Sequence, residues 1–148
     1  MADRCLLRMT AAIQDEMRNH EQVELVVDLQ QATRMATQVM VLMPKDVVRG
    51  SEVQLRFIDS VPDGASVKLA AASDLYAIRV TGCSAAACAA TARPLLDNGD
   101  GTRFDLFAAL QQHGFLAVLF QRTGQKSPSR AMIPTFSFPD ALARVQPR

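Results

Sequence analysis

The sequence predicts an all-β fold in one domain, a sandwich or a barrel, and three observations carry that expectation. Apolar and polar residues alternate with period two along most of the chain. The alternating segments are short, regularly spaced and bounded by turn signals. Two cysteines, Cys83 and Cys88, flank Ser84-Ala85-Ala86-Ala87 as the arms of a hairpin flank its loop. A chain of 148 residues with 49% apolar content can bury one sizeable core, about 68 to 70% of its unfolded surface at this length. Its net charge of +1 supplies no global field for nucleic acid or acidic membranes, so no nucleic-acid partner is expected.

Taken in order, Leu6, Leu7, Met9, Thr10, Ala12 and Ile13 make a β-compatible run from Cys5 to Gln14, and the polar stretch Gln14 to His20 reads as its connection. Val23, Leu25, Val27 and Leu29 alternate with Glu24, Val26 and Asp28, predicting a return strand with one buried and one largely wet face. Thr37 to Met43 is a third strand, closed by Pro44. Ser51 to Ile58 is a fourth, with Val53, Leu55 and Phe57 on one side and Glu52, Gln54 and Arg56 on the other. Pro62-Asp63-Gly64 is a turn signal, because proline presets φ and glycine tolerates its positive values. Val67, Leu69 and Ala71 then alternate with Ser66, Lys68 and Ala70, and after Ser73-Asp74 the residues Tyr76, Ile78 and Val80 lead to the cysteine hairpin.

Helical signals are local and late. Asp97-Asn98-Gly99-Asp100-Gly101 reads as a loop, Thr102 and Asp105 have capping-box spacing, and Phe104, Phe107 and Leu110 repeat every three residues before Gly114. These predict one amphipathic helix over 103–113. Phe115 to Phe120 is a continuous apolar run, expected as a strand buried on both faces beneath that helix, and Ala131 to Phe136 is a last strand. Ser137, Pro139 and Asp140 predict a short terminal helix over 138–145. No repeat or linker divides residues 1–148.

Opposed residues of an antiparallel hairpin lie roughly 4.5 to 5.5 Å apart at Cα, which permits a Cys83–Cys88 disulfide; reduced, buried thiols are the alternative. Pairing leaves Cys5 over, either exposed and able to link a dimer or buried and inert. Zinc would need four donors, and His20 and His113 lie in unrelated segments, where both read as surface residues. The spacing is not Cys-x-x-Cys, Gly99 stands where a calcium loop needs an oxygen ligand, and no Gly-x-Ser-x-Gly elbow or phosphate-binding glycine pattern occurs. No catalytic residue, metal or cofactor is expected, and the chain is read as a non-enzyme. Arg56, Lys68 and Arg79 occupy outward positions of successive strands and form a candidate interaction surface, against a default of solvated cations.

No apolar run is long enough to span a bilayer, and Arg4, Asp15, Glu16 and Arg18 interrupt the region where a signal peptide would need an apolar core. The chain is therefore expected to be cytosolic, or a mature protein whose leader has been removed.

In its carboxy-terminal half the chain resembles the invasion-associated locus B family of exported bacterial proteins. Tyr76, the Cys83 and Cys88 pair, the alanine-rich strand after it, Asp105-Leu106-Phe107-Ala108-Ala109-Leu110, Leu116-Ala117-Val118-Leu119-Phe120 and Ile133-Pro134-Thr135-Phe136-Ser137 carry the resemblance in order and spacing, with Met43-Pro44 and Val61-Pro62 to Leu69 as a looser match. The resemblance implies an immunoglobulin-like antiparallel β-sandwich, a disulfide in this hairpin and a periplasmic or cell-envelope location. Cys5 looks like the second member of the family's amino-terminal pair, whose first cysteine and preceding tryptophan are absent here. The implied role is a macromolecule-binding or host-cell-entry-associated module with a protein or cell-surface partner. The alternative is an accessory protein that maintains the envelope, and an enzyme with an unrecognised site is a distant third.

Overall fold

Period-two alternation produces strands in nearly every place expected, and the strands run longer than the apolar pattern marks. The computed structural model describes residues 3–14, 21–63, 66–71, 76–97 and 99–145, excepting the side chains of 60–63 and 66–71. In chain order the strands are β1 (Arg4–Gln14), β2 (Gln22–Gln30), β3 (Met35–Pro44), β4 (Glu52–Asp63), β5 (Ser66–Ala71), β6 (Tyr76–Cys83), β7 (Ala87–Ala92), β8 (Leu95–Asp97) and β9 (Arg103–Asp105). Helix α1 (Leu106–Gln112), β10 (Phe115–Phe120), β11 (Ser129–Pro134) and helix α2 (Phe138–Ala143) follow.

Neighbouring strands pair antiparallel in the order β10, β11, β1, β2, β3, β7, β6, β4, and β4 pairs back onto β10. Eight strands thus close into a barrel, with β5 attached to β4 as a hairpin and β8–β9 as a separate ribbon. This overturns the immunoglobulin-like sandwich. The physical reason lies in two strands that serve both walls. β1 bonds β2 from Arg4 to Ala12 and meets β11 at Ile13 and Gln14. β6 bonds β4 through Tyr76–Arg79 and then β7 through Val80–Cys83. Two stacked sheets would keep separate edges, whereas shared strands turn the corners and enclose one core.

The lumen is filled by side chains. Val23, Leu25, Val27 and Leu29 of β2, Val39, Val41 and Met43 of β3, Leu55 and Phe57 of β4, and Leu116, Val118 and Phe120 of β10 are buried there. One end is covered by α1 and α2 through Leu106, Leu110, Phe107 and Phe138, the last two rings meeting edge-on at 6.0 Å. At the other end Arg122 is buried, its Nε 3.0 Å from both carboxylate oxygens of Asp46 and its Nη2 2.5 Å from Glu21 Oε1.

Several local expectations shift. The helix expected over 103–113 begins at Leu106, because Arg103–Asp105 pairs with Leu95–Asp97 as β9. Asp105 is its N-cap, with Oδ1 accepting from the Ala108 N–H at 2.9 Å, while the Thr102 N–H and hydroxyl both donate to Asp100 instead. Helix α1 covers the barrel end rather than β10, where Ala117 is buried between its cross-strand partners Arg56 and Met132. The terminal helix ends at Ala143, and Ser137 makes no side-chain capping bond. β4 continues through Pro62 and Asp63, with Asp63 opposite Ser66, so two of the three residues expected as a turn are in the strand and the third, Gly64, lies outside the described residues. His20 and the polar stretch around it likewise lie outside the described residues.

Candidate functional site

Three depressions run together along one outer wall of the barrel and up to its helix-covered rim. The first, of about 490 Å³, lies over β1, β2 and β3 and is lined by Arg4, Leu6, Arg8, Val26, Asp28, Gln38, Met40 and Leu42. The second, about 390 Å³, shares Arg4 and Gln38 with it and continues through Thr37, Thr91 and Arg93. The third, about 500 Å³, shares Thr37 and Arg93 and reaches Met35, Pro94, Leu95, Asp97, Arg103, Asp105 and Phe107.

The cross-strand register assembles this groove. Leu6 faces Asp28, Arg8 faces Val26, and Val26 faces Met40, so alternate residues of three strands share one outer face. That face was expected to be largely wet on β2, yet Val26 is 5% and Asp28 8% exposed. Arg4 explains part of this: its Nε donates to Asp28 Oδ1 at 3.1 Å, with a second contact from Nη2 to Oδ2, folding the arginine stem over the strand. Arg8 pairs with Glu24 in the same way. The Thr37 hydroxyl donates to the Asp28 carbonyl at 3.1 Å and ties β3 to β2 beside the bulge at Asp28 and Leu29.

Leu6 remains 47% exposed on the β1 side of the groove, and Met35 and Leu95, 58% and 47% exposed, stand at its rim end. Arg103 Nε lies 3.4 Å from Asp97 Oδ1 across the β8–β9 ribbon, and the Asp105 carboxylate is engaged in capping α1. Arg93 projects between these groups, and no side-chain hydrogen bond or ion pair engages it among the described residues. The groove thus offers apolar surface between guanidinium groups, of which Arg93 alone has no side-chain partner among the described residues.

Cys83 and Cys88 are joined by a disulfide at a Cα separation of 4.0 Å, and the Ser84 N–H donates to the Ala87 carbonyl at 2.8 Å in the loop they close. Cys5 carries a free thiol, half-buried in the inward row of β1. Of the three cations singled out in the sequence, the side chains of Arg56 and Arg79 are described and that of Lys68 is not. Arg79 pairs with Glu52 at 3.8 Å and donates to the Gly50 carbonyl at 3.1 Å, while exposed Arg56 stands four positions further along β4, opposite Ala117. The Lys68 backbone pairs in register with Val61.

His113 is not a plain surface residue. Its side chain is 20% exposed, its ring centroid lies 5.3 Å from that of Phe57, and Nδ1 is 3.1 Å from Asp59 Oδ2. Desolvation raises the Asp59 carboxyl, but hydrogen bonds from His113 and the Gly114 N–H, with the His113 charge, outweigh it and hold the group below the usual carboxylate range. The pair fixes the junction of α1 and β10, and Thr135 adds a bond from its hydroxyl to the His113 carbonyl at 2.7 Å. The groove residues Arg4, Leu6, Arg93 and Arg103 escaped sequence reasoning. Each is an ordinary exposed residue, Arg4, Leu6 and Arg103 within strands and Arg93 just after β7, and only the packing of the strands reveals their shared surface.

Comparison of the chain with protein-family models, curated proteins and solved structures finds no match.

Proposed function

We propose that this protein acts by binding rather than by catalysis, as a recognition module that receives an extended segment of another macromolecule along the outer-wall groove. The contiguity of the three depressions carries this reading, since each shares side chains with the next. A long, open groove of alternating apolar and guanidinium groups suits a chain-like ligand better than a small molecule, which favours an enclosed pocket. The filled lumen leaves the wall, not the interior, as the binding surface. An oxidising location such as the periplasm or cell envelope belongs to the same proposal, supported by the Cys83–Cys88 disulfide, because such bonds persist in oxidising compartments.

A photo-crosslinking residue placed at Met40 tests it, with the same residue at Arg56 as the control on the opposite wall. A discrete adduct from position 40 that disappears in an Arg93→Glu background, with none from position 56, is the expected result. Equal adducts from both walls, or adducts indifferent to Arg93, would overturn the groove as the binding face.

A further inference from the structure

We propose that the free edge of β1 accepts a strand from a partner protein, in extended form, with acidic residues opposite Arg4 and Arg8 and apolar residues between them. This inference rests on the groove reading and names the partner's chemistry and mode of attachment.

The backbone supplies the first half of the argument. β1 pairs with β2 at every residue from Arg4 to Ala12, but with β11 only at Ile13 and Gln14. The Ile13 N–H donates to the Glu21 carbonyl at 3.1 Å and the Gln31 N–H to the Asp3 carbonyl at 2.6 Å. These two bonds fix the phase of the ladder. Odd-numbered residues of β1 bond β2, so Leu6 and Arg8, which lie beyond the end of β11, direct their N–H and C=O groups to the other side. Among the described residues no backbone partner meets them there. Such a row is a template for one more strand.

Side chains on both faces of that edge are also incomplete. The inward row Cys5, Leu7 and Met9 is only partly buried, while the inward row of β2 beside it is closed to solvent. On the outer face Arg4, Leu6 and Arg8 line the first depression of the groove. An added strand would therefore meet the outward series Arg, Leu, Arg and the inward pair Cys5 and Leu7. Arg4 and Arg8 are already paired with Asp28 and Glu24 but keep 60% and 54% of their side chains exposed, so each guanidinium can be shared with a second carboxylate. Cross-strand complementarity then selects acidic, apolar and acidic residues on one face and apolar residues on the other. Read along the strand this is Glu-Val-Leu-Val-Glu, which is symmetric and fits in either direction. A second copy of this chain fits less well, because pairing β1 with itself about Leu6 sets Arg4 directly against Arg8.

The test adds a synthetic peptide with Glu-Val-Leu-Val-Glu at its centre to the full, oxidised protein and follows amide hydrogen exchange by NMR. The Leu6 and Arg8 amides should slow by about tenfold or more at saturation, while those of Leu7 and Met9, already bonded to β2, hardly change. Replacing both Glu of the peptide by Lys should weaken binding about tenfold or more, and methylating the peptide nitrogens that face β1 should abolish it. Because only the peptide is altered, folding of the protein is not at issue. Peptide binding sensed at Arg93 and Met35 but not at the Leu6 and Arg8 amides would overturn strand addition and leave the groove reading standing. No binding at millimolar peptide would overturn it also, as would slowing that follows protein concentration alone, which would assign the edge to a second copy.

Discussion

Arg122 shows how much of this molecule depends on single side chains whose partners lie far away in sequence. Its side chain is 2% exposed and it holds Asp46, from the loop after β3, and Glu21, beside the start of β2. Arg122→Ala should destabilise the protein by about 3 kcal/mol, the lower end for breaking a buried pair, because both carboxylates keep roughly a third of their surface in water. Urea denaturation measures this, and an unchanged midpoint would show that the pair contributes nothing net. Asp59 gives a second, pH-dependent outcome. Its carboxyl is held below its ordinary value of 3.8 in the fold, so its contribution is complete above that value and is lost as pH falls through the lower folded one. Asp59→Asn should therefore lower the thermal midpoint near pH 7, and the gap from the parent should narrow below about pH 4. A gap that stays constant down to about pH 2 would separate Asp59 from acid stability. The Cys83 and Cys88 opposition was legible in the sequence because a hairpin is local. The His113 and Asp59 contact was not, because 54 residues separate its members.

At the scale of elements, the strands were legible and their partners were not. Alternation marks β2, β3 and β4 plainly, since one face of each is buried. Helix α1 shows how periodicity can mislead: Phe104, Phe107 and Leu110 keep helical spacing, but Phe104 belongs to β9 and stacks on Tyr76 with ring centroids 4.0 Å apart. Phe107 and Leu110 do lie in the helix and are buried, so the covering role survives the change of boundary. Phe107→Ala should cost about 3 to 5 kcal/mol, because it removes a ring that is nearly closed to solvent and packed on Phe138. Chemical denaturation monitored by circular dichroism checks the value, and a loss under about 1 kcal/mol would mean that the helix can lift from the barrel end at little cost.

For the whole molecule, sandwich and barrel share the same alternation, so composition and periodicity leave the choice open. The choice is made by β1 and β6, which change partners part-way along, and by β4, which accepts β10 on one side and β6 and then β5 on the other. Nothing in a strand's own residues marks a change of partner. The same topology builds the candidate site, since closing the ring through β4 and β10 leaves β1 and β11 joined by two register pairs, beside the groove. Amide hydrogen exchange on the free protein reads both features in one experiment. Within β10 the amides of Leu116, Ala117, Val118 and Leu119 should all exchange slowly, because the strand is paired on both sides. Within β1 the amides of Leu7 and Met9 should be slow and those of Leu6 and Arg8 fast. Fast exchange at alternate residues of β10, or uniform protection from Cys5 to Met9, would contradict a barrel closed at β4 and β10 with a free edge at β1.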